Sequence, residues 1–321
     1  MSGIEPARLS AMMGLQDPET LMTLEALRTP DDRFEDLPGW SFEPGYIDDL
    51  PGYEGLRIAV IDEGPRTGAP VFLCLHGEPS WGYLYRKMAP VFLAAGARVI
   101  IPDLFGFGRS DKPVEDAVYT FHWHRNALKA LLERLDLRDI CLVCQDWGGV
   151  LGLTLPMDYP DQFTRLLVMN TAIGVGKGAS EGFMAWRDYM ANTPDLDVGR
   201  LLQRATPGMS DAEAAAYSAP FPDHRYKAGV RRFPALVPVS PDMEGVDTGL
   251  AAAKFWSQAW TGESFMAVGM QDPVLGPDTM SWLRKTIRGC PEPMEIAEGG
   301  HFVQEWGEPI AKAALERFGL A

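Results

Sequence analysis

Short apolar runs separated by helix-length stretches constrain this chain more than any other feature of it. Runs at residues 56–61, 71–75, 99–101, 140–144 and 166–169 have the length of buried strands, and 122–135 and 148–159 that of helices. Strands read as unbroken apolar runs when helices cover both faces of a parallel sheet. The pattern predicts an α/β fold with a mostly parallel central sheet and helices on both faces. It breaks between about residues 174 and 241, where Ala, Met, Asp and Pro are frequent and helix-like pieces at 181–190, 198–204 and 211–217 have no strand between them. The alternation resumes with 265–269, 282–287 and 294–296 and closes on a helix at 309–318. A helical block inserted into such a sheet is a natural cap, and a site between cap and sheet excludes water. The expected organisation is an extension at 1–28 with one possible amphipathic helix, a core at 29–173 and 242–321, and a helical cap at 174–241.

Composition removes several functional classes. Apolar residues make up 46 % and charged residues 23 % of the 321, values of a globular chain rather than a disordered or fibrous one. Lys and Arg number 29 against 44 Asp and Glu, a formal net charge of −15, and no run of Lys and Arg forms a basic stripe. Such a surface repels nucleic acid and anionic lipid. No stretch approaches the ~18 consecutive apolar residues of a membrane span. Residues 1–29 carry Glu5, Arg8, Asp17, Glu19, Glu25 and Arg28, unlike a secretory signal, so a cytoplasmic location is expected. Four cysteines are too few for a disulfide scaffold. Cys141 and Cys144 form a C-x-x-C that suggests redox chemistry, but on a strand their side chains point to opposite faces.

The stretch Cys144-Gln145-Asp146-Trp147-Gly148-Gly149 turns an apolar strand abruptly into a helix. It has the layout of a nucleophile elbow, with Asp146 in the reactive position and small residues that let helix and strand approach. Asp146 alone could equally be a helix cap. Two further features bear on that choice. A strand ending at Gly269-Met270-Gln271 leads into Asp272, and Glu298-Gly299-Gly300-His301-Phe302 follows a strand and a helix later. Nucleophile, acid and His in this order match one known chain order of catalytic triads. His76-Gly77-Glu78-Pro79 directly follows another strand, where the layout calls for an oxyanion-hole donor. The two donors are then the backbone N–H groups of Glu78 and Trp147. His76 itself reads as well as a packed structural residue. The segment 103–111 lacks the third glycine of a dinucleotide fingerprint, because Asp111 stands there.

From about Thr29 onward the sequence resembles the haloalkane dehalogenases, subfamily I, of the α/β-hydrolase superfamily. The likeness rests on His76-Gly77-Glu78-Pro79-Ser80-Trp81, Gln145-Asp146-Trp147-Gly148-Gly149, Gly269-Met270-Gln271-Asp272 and Gly300-His301-Phe302-Val303-Gln304-Glu305. It implies an α/β-hydrolase fold with a cap. It also implies hydrolysis of haloalkanes to a primary alcohol and halide, with no cofactor and no metal. Displacement by a carboxylate leaves an ester whose carbonyl water can attack, whereas a Ser nucleophile would leave an inert ether. The resemblance makes Asp146 the nucleophile, His301 the base that activates water, and Asp272 the acid that orients His301.

Halide leaves as an anion and needs donors in a dry pocket. Trp147 offers an indole N–H beside the nucleophile. Relatives in another subfamily use Asn where this chain has Glu78, and an ionised Glu78 cannot donate, so the second donor is sought in the cap. Gly182-Phe183-Met184-Ala185-Trp186 resembles the subfamily I cap motif, which assigns Trp186 to the halide and Phe183 to the pocket wall. The acid must be Asp272, because Asn170 stands where other subfamilies carry it; Asp278 is the nearby alternative. Phe233, Val274 and Leu275 complete the expected lining, with Val150 where the family often has a bulkier aromatic. An epoxide hydrolase is the rival enzyme, with Tyr189, Tyr217 or Tyr226 as the cap hydroxyls, and a non-catalytic ligand receptor on the same fold is the rival from another class. A fluoroacetate-type dehalogenase lacks its expected Arg after the nucleophile. The expected partners are a small haloalkane, water and halide, acting on a monomer.

Overall fold

The computed structural model describes residues 24–321, and the amphipathic helix expected within 1–28 lies mostly outside them. Eight strands form the main sheet: β1 (Gly45–Ile47), β2 (Ile58–Glu63), β3 (Val71–Leu75), β4 (Arg98–Pro102), β5 (Ile140–Cys144), β6 (Phe163–Met169), β7 (Glu263–Gly269) and β8 (Met294–Ile296). Their spatial order is β8-β7-β6-β5-β3-β4-β2-β1. β2 runs antiparallel to β1 and β4, and every other pairing is parallel. The expected apolar strands are all present: 71–75, 140–144 and 294–296 keep their bounds, 99–101, 166–169 and 265–269 are lengthened by two or three residues, and 56–61 is shifted to 58–63. β3, β4 and β5 are buried throughout, so helices cover both faces of the sheet centre, as parallel pairing requires. A two-stranded sheet pairs Ala26–Leu27 with Lys112–Pro113.

The core helices are α1 (Ala89–Ala94), α2 (Phe121–Leu135), α3 (Trp147–Gly152), α9 (Pro277–Thr286) and α10 (Gly307–Arg317). Residues 282–287 fall at the end of α9. α3 is shorter than the expected 148–159. Glycines at 148, 149 and 152 and Pro156 spoil helix continuation, and turns follow Gly152. Between β6 and β7 lie α4 (Glu181–Asn192), α5 (Val198–Ala205), α6 (Asp211–Ser218), α7 (Ala228–Leu236) and α8 (Val246–Gln258), with no strand. Ser180, Asp197 and Ser210 cap α4, α5 and α6 through their side chains, and Glu213 completes a capping box on α6. α7 escapes a pattern reading because Pro234 stands inside it. Among the described residues no helix is long and apolar enough to cross a membrane.

Parallel registers bring Leu75, Cys144, Met169, Gly269 and Ile296 to one edge of the sheet. Open α/β sheets bind ligands beyond the carboxyl ends of their strands. The loops that follow these five ends carry His76 to Glu78, Asp146, Asn170, Asp272 and His301.

Candidate active site

Asp146 has φ 50° and ψ −129°, in the left-handed half of the map that non-glycine residues avoid. Its side chain caps nothing, although it stands at the N-cap position of α3, so the capping role does not account for it. The turn is tolerated because its neighbours are glycines. A Cβ on Gly148 would run into the Leu75 carbonyl, and one on Gly77 into the Asp146 carboxylate itself. The sharp turn lifts the carboxylate off the sheet. There Oδ1 accepts a 2.8 Å bond from the Glu78 N–H, and Oδ2 lies 3.5 Å from His301 Nε2.

His301 Nδ1 lies 2.9 Å from Asp272 Oδ2. Asp272 is buried, and it receives more than the imidazole. Its Oδ1 accepts from the N–H groups of Val274 (2.8 Å) and Leu275 (3.1 Å), and its Oδ2 from Asn170 Nδ2 (2.9 Å). Burial works to raise the Asp272 pKa, but the His301 charge and these donors overcome it and hold the carboxyl down at about 2. For His301, burial works to lower the pKa, and the Asp272 and Asp146 carboxylates outweigh it, leaving the imidazole well above its ordinary value. Asp278 is exposed in the first turn of α9, away from the imidazole.

Asn170 has a job that the sequence reading missed. It is fully buried, its Oδ1 accepts from the Gly269 N–H, and its Nδ2 donates to the Gly269 carbonyl as well as to Asp272. Position 170 therefore lies beside Asp272 and helps hold its carboxylate in place. Gln145 Nε2 donates to the His301 carbonyl at 2.9 Å and fixes its loop. His76 is structural: Nδ1 bonds the Gly77 carbonyl, Nε2 accepts from the Leu104 N–H, and burial lowers its pKa to about 4.

These groups open into a cavity of about 520 Å³ walled by residues from both the sheet edge and the inserted helices. Glu78, Asp146, Trp147, Val150, Phe183, Trp186, Val274, Leu275 and His301 all line it. Phe233 does not. It is fully buried behind Trp147, ring centroids 4.7 Å apart, and its neighbour Pro234 takes the wall position. Leu201, Ala205, Val237 and Phe302 add apolar wall that the sequence did not single out. The buried indoles of Trp81, Trp256 and Trp260 donate to Ala216, Leu153 and Ser264. Trp147, 2 % exposed, instead has no protein acceptor among the described residues and faces the cavity. An indole N–H left open beside the Asp146 carboxylate can donate to an anion bound in the cavity.

Tyr189, Tyr217 and Tyr226 are absent from the cavity wall. Tyr189 is exposed, and the Tyr217 hydroxyl is taken by Glu305 and by Arg86. Epoxide activation by these hydroxyls has no geometric basis here. Cys141 and Cys144 are free and buried on β5, and burial raises both thiols far above the range in which thiolates form.

Comparison with known proteins agrees with this geometry. Residues 70–308 match the family model described as alpha/beta hydrolase fold. The chain is 45 % identical over 303 residues to a haloalkane dehalogenase of Psychrobacter cryohalolentis, covering 91 % of this chain and 98 % of that one. It is 40 % identical over 294 residues to one of Mycobacterium marinum, covering 89 % and 97 %. Among solved structures, the tetrameric haloalkane dehalogenase DpaA from Paraglaciecola agarilytica superposes with a TM-score of 0.90 at 54 % identity, covering 91 % of this chain and 98 % of that one. By fold, by the elbow that carries Asp146, and by identity over nine-tenths of its length, the chain belongs to the haloalkane dehalogenase family.

Proposed function

We propose that this protein hydrolyses haloalkanes to a primary alcohol and halide, with Asp146 as nucleophile. The observation that carries this reading is a carboxylate on a strained elbow, free of any capping duty, 3.5 Å from an acid-paired imidazole and beside an open indole N–H. In the first step Asp146 attacks the carbon in line, the carbon–halogen pair leaves with the halide, and an ester remains. The Trp147 and Trp186 indoles hold the halide, the arrangement of subfamily I. In the second step His301 takes a proton from water as the water attacks the ester carbonyl. The oxyanion falls to the N–H groups of Glu78 and Trp147. The bond from that carbon to the alkoxy oxygen then breaks, the alcohol leaves with the proton returned by His301, and the Asp146 carboxylate is restored. The segment 174–241 serves as the cap that keeps this chemistry dry. Phe183, Val150, Val274 and Leu275 shape an apolar slot for the alkyl chain.

The acid-paired imidazole has a timing built into it. While Asp146 is ionised its charge helps hold the proton on His301; once Asp146 is an ester that charge is gone, and the imidazole becomes a better base when a base is required. All these groups come from one chain, acting in the cytoplasm, and a monomer suffices for the chemistry, although the DpaA relative is tetrameric. Light scattering reads the assembly. The activity test is halide release from 1-bromobutane or 1,2-dibromoethane, run beside hydrolysis of styrene oxide. Halide release without added metal or cofactor is expected; hydrolysis of the epoxide alone overturns the proposal.

A further inference from the structure

We propose that the Glu78 side chain works as a neutral carboxylic acid whose O–H is a third donor to the departing halide, beside the Trp147 and Trp186 indoles. The inference rests on the dehalogenation reading and deepens it. Glu78 is 4 % exposed and lines the same cavity as Asp146, Trp147, Trp186 and His301. Its backbone N–H is fixed on Asp146 Oδ1, which anchors the residue one bond from the reacting carboxylate. Its Oε1 is shut off from solvent and has no hydrogen-bond partner among the described residues. A buried carboxylate oxygen without donors is costly as an anion, much less so as an acid, and a neutral acid has a proton to offer.

The surroundings favour the acid form. Burial first and the Asp146 charge second push the Glu78 pKa well above its ordinary value, and the His301 charge and the nearby Trp186 side chain oppose them only in part. The other charged groups on the cavity wall are Arg204 from α5 and Glu298 from the loop before His301, both exposed; Asp272 sits behind His301. An ionised Glu78 would place a second anion next to Asp146 and the leaving halide, and would draw the Trp186 N–H to itself. A neutral Glu78 removes that repulsion. Asp146 Oδ forms the bond to carbon, the electron pair leaves with the halide, and the Glu78 O–H only hydrogen-bonds to it, so no proton changes hands. The premise that Glu78 is ionised, on which the search for a donor in the cap was based, does not suit this cavity; Trp186 stands on its own position in the wall.

Bromide binding, followed by quenching of tryptophan fluorescence from mildly acidic to alkaline pH in the wild type and Glu78→Gln, tests this. Neutral Gln keeps an N–H donor, so at mildly acidic pH the two bind bromide within about threefold of each other. As pH rises, loss of the His301 charge weakens both proteins alike, and the wild type weakens by about tenfold or more beyond Glu78→Gln, because only the wild type gains a repelling anion. Infrared spectra of wild type labelled with carbon-13 at glutamate carboxyls show a protonated-acid band at neutral pH that disappears at alkaline pH, whether or not the variant folds. Two results overturn the proposal: bromide binding about tenfold tighter in Glu78→Gln already at mildly acidic pH, or no protonated-glutamate band at neutral pH. A loss of affinity that stays equal in both proteins across the whole pH range overturns it too. Bromide release from 1-bromobutane by the same wild-type preparation separates the two readings: without it dehalogenation fails, and with it only the role of Glu78 is at stake.

Discussion

At the scale of residues, the catalytic proposal divides into a displacing group and a hydrolysing pair, and the two halves fail differently. Asp272→Asn removes the charge that orients and stabilises the imidazolium but leaves Asp146 untouched. A stoichiometric burst of halide is therefore expected to survive while steady turnover falls by ~10²–10⁴; rapid-quench measurement of both phases checks this. The pH dependence should split in the same way. His301 must be neutral to take a proton, so ester breakdown should rise by about tenfold per pH unit below the imidazole pKa and then level, while ester formation should not share that rise and should fall in alkali as Glu78 ionises. Single-turnover rates across pH read the two steps separately. These residues were legible because each sits in a short motif at a strand end: Asp146 in Gln-Asp-Trp-Gly-Gly, His301 in Gly-Gly-His-Phe. The part played by Asn170, the protonation of Glu78 and the retreat of Phe233 behind Trp147 were not legible. All three depend on which side chains the fold packs against one another, and no local pattern encodes that.

At the scale of elements, the inserted helices are tied to the core by one buried charge cluster. Arg86, after β3, meets Glu305, before α10, through two 2.7 Å bonds, and also Glu213 (2.8 Å) and the Tyr217 hydroxyl (3.0 Å) of α6. Lys87 adds a 2.9 Å bond to Glu305 from the rim. Removing Glu305 leaves the buried Arg86 guanidinium with only Glu213 and the Tyr217 hydroxyl, so Glu305→Ala should cost about 3 kcal/mol in urea unfolding. Burial works to raise the Glu305 pKa, but the Arg86 contacts prevail and lower it. A depressed carboxyl contributes its stability above the unfolded value of about 4.3 and loses it as pH falls through the folded one. The stability gap between wild type and Glu305→Ala should thus be full at neutral pH and shrink only in acid. Strands were easier to read than helices for a physical reason. A strand buried on both faces is apolar at every position, whereas α7 contains a proline and α3 three glycines, so packing rather than propensity makes them helical.

At the scale of the whole molecule, the proposed triad is assembled from chain segments on both sides of the inserted helices, with Asp146 before them and Asp272 and His301 after. Parallel pairing explains how: it delivers the ends of β5, β7 and β8 to one edge, and the helices from 181 to 258 roof that edge rather than interrupt it. The net charge of −15 still argues against nucleic acid, but it has little to say about halide, whose binding depends on a few desolvated donors in a closed cavity. The central claim is a covalent ester on Asp146 that His301 is needed to clear. It is tested most directly by incubating His301→Gln with 1-bromobutane and weighing the peptide that carries Asp146. The account predicts a butyl adduct on that peptide and one equivalent of bromide, after which release stops. Unmodified Asp146 together with continued turnover would contradict it.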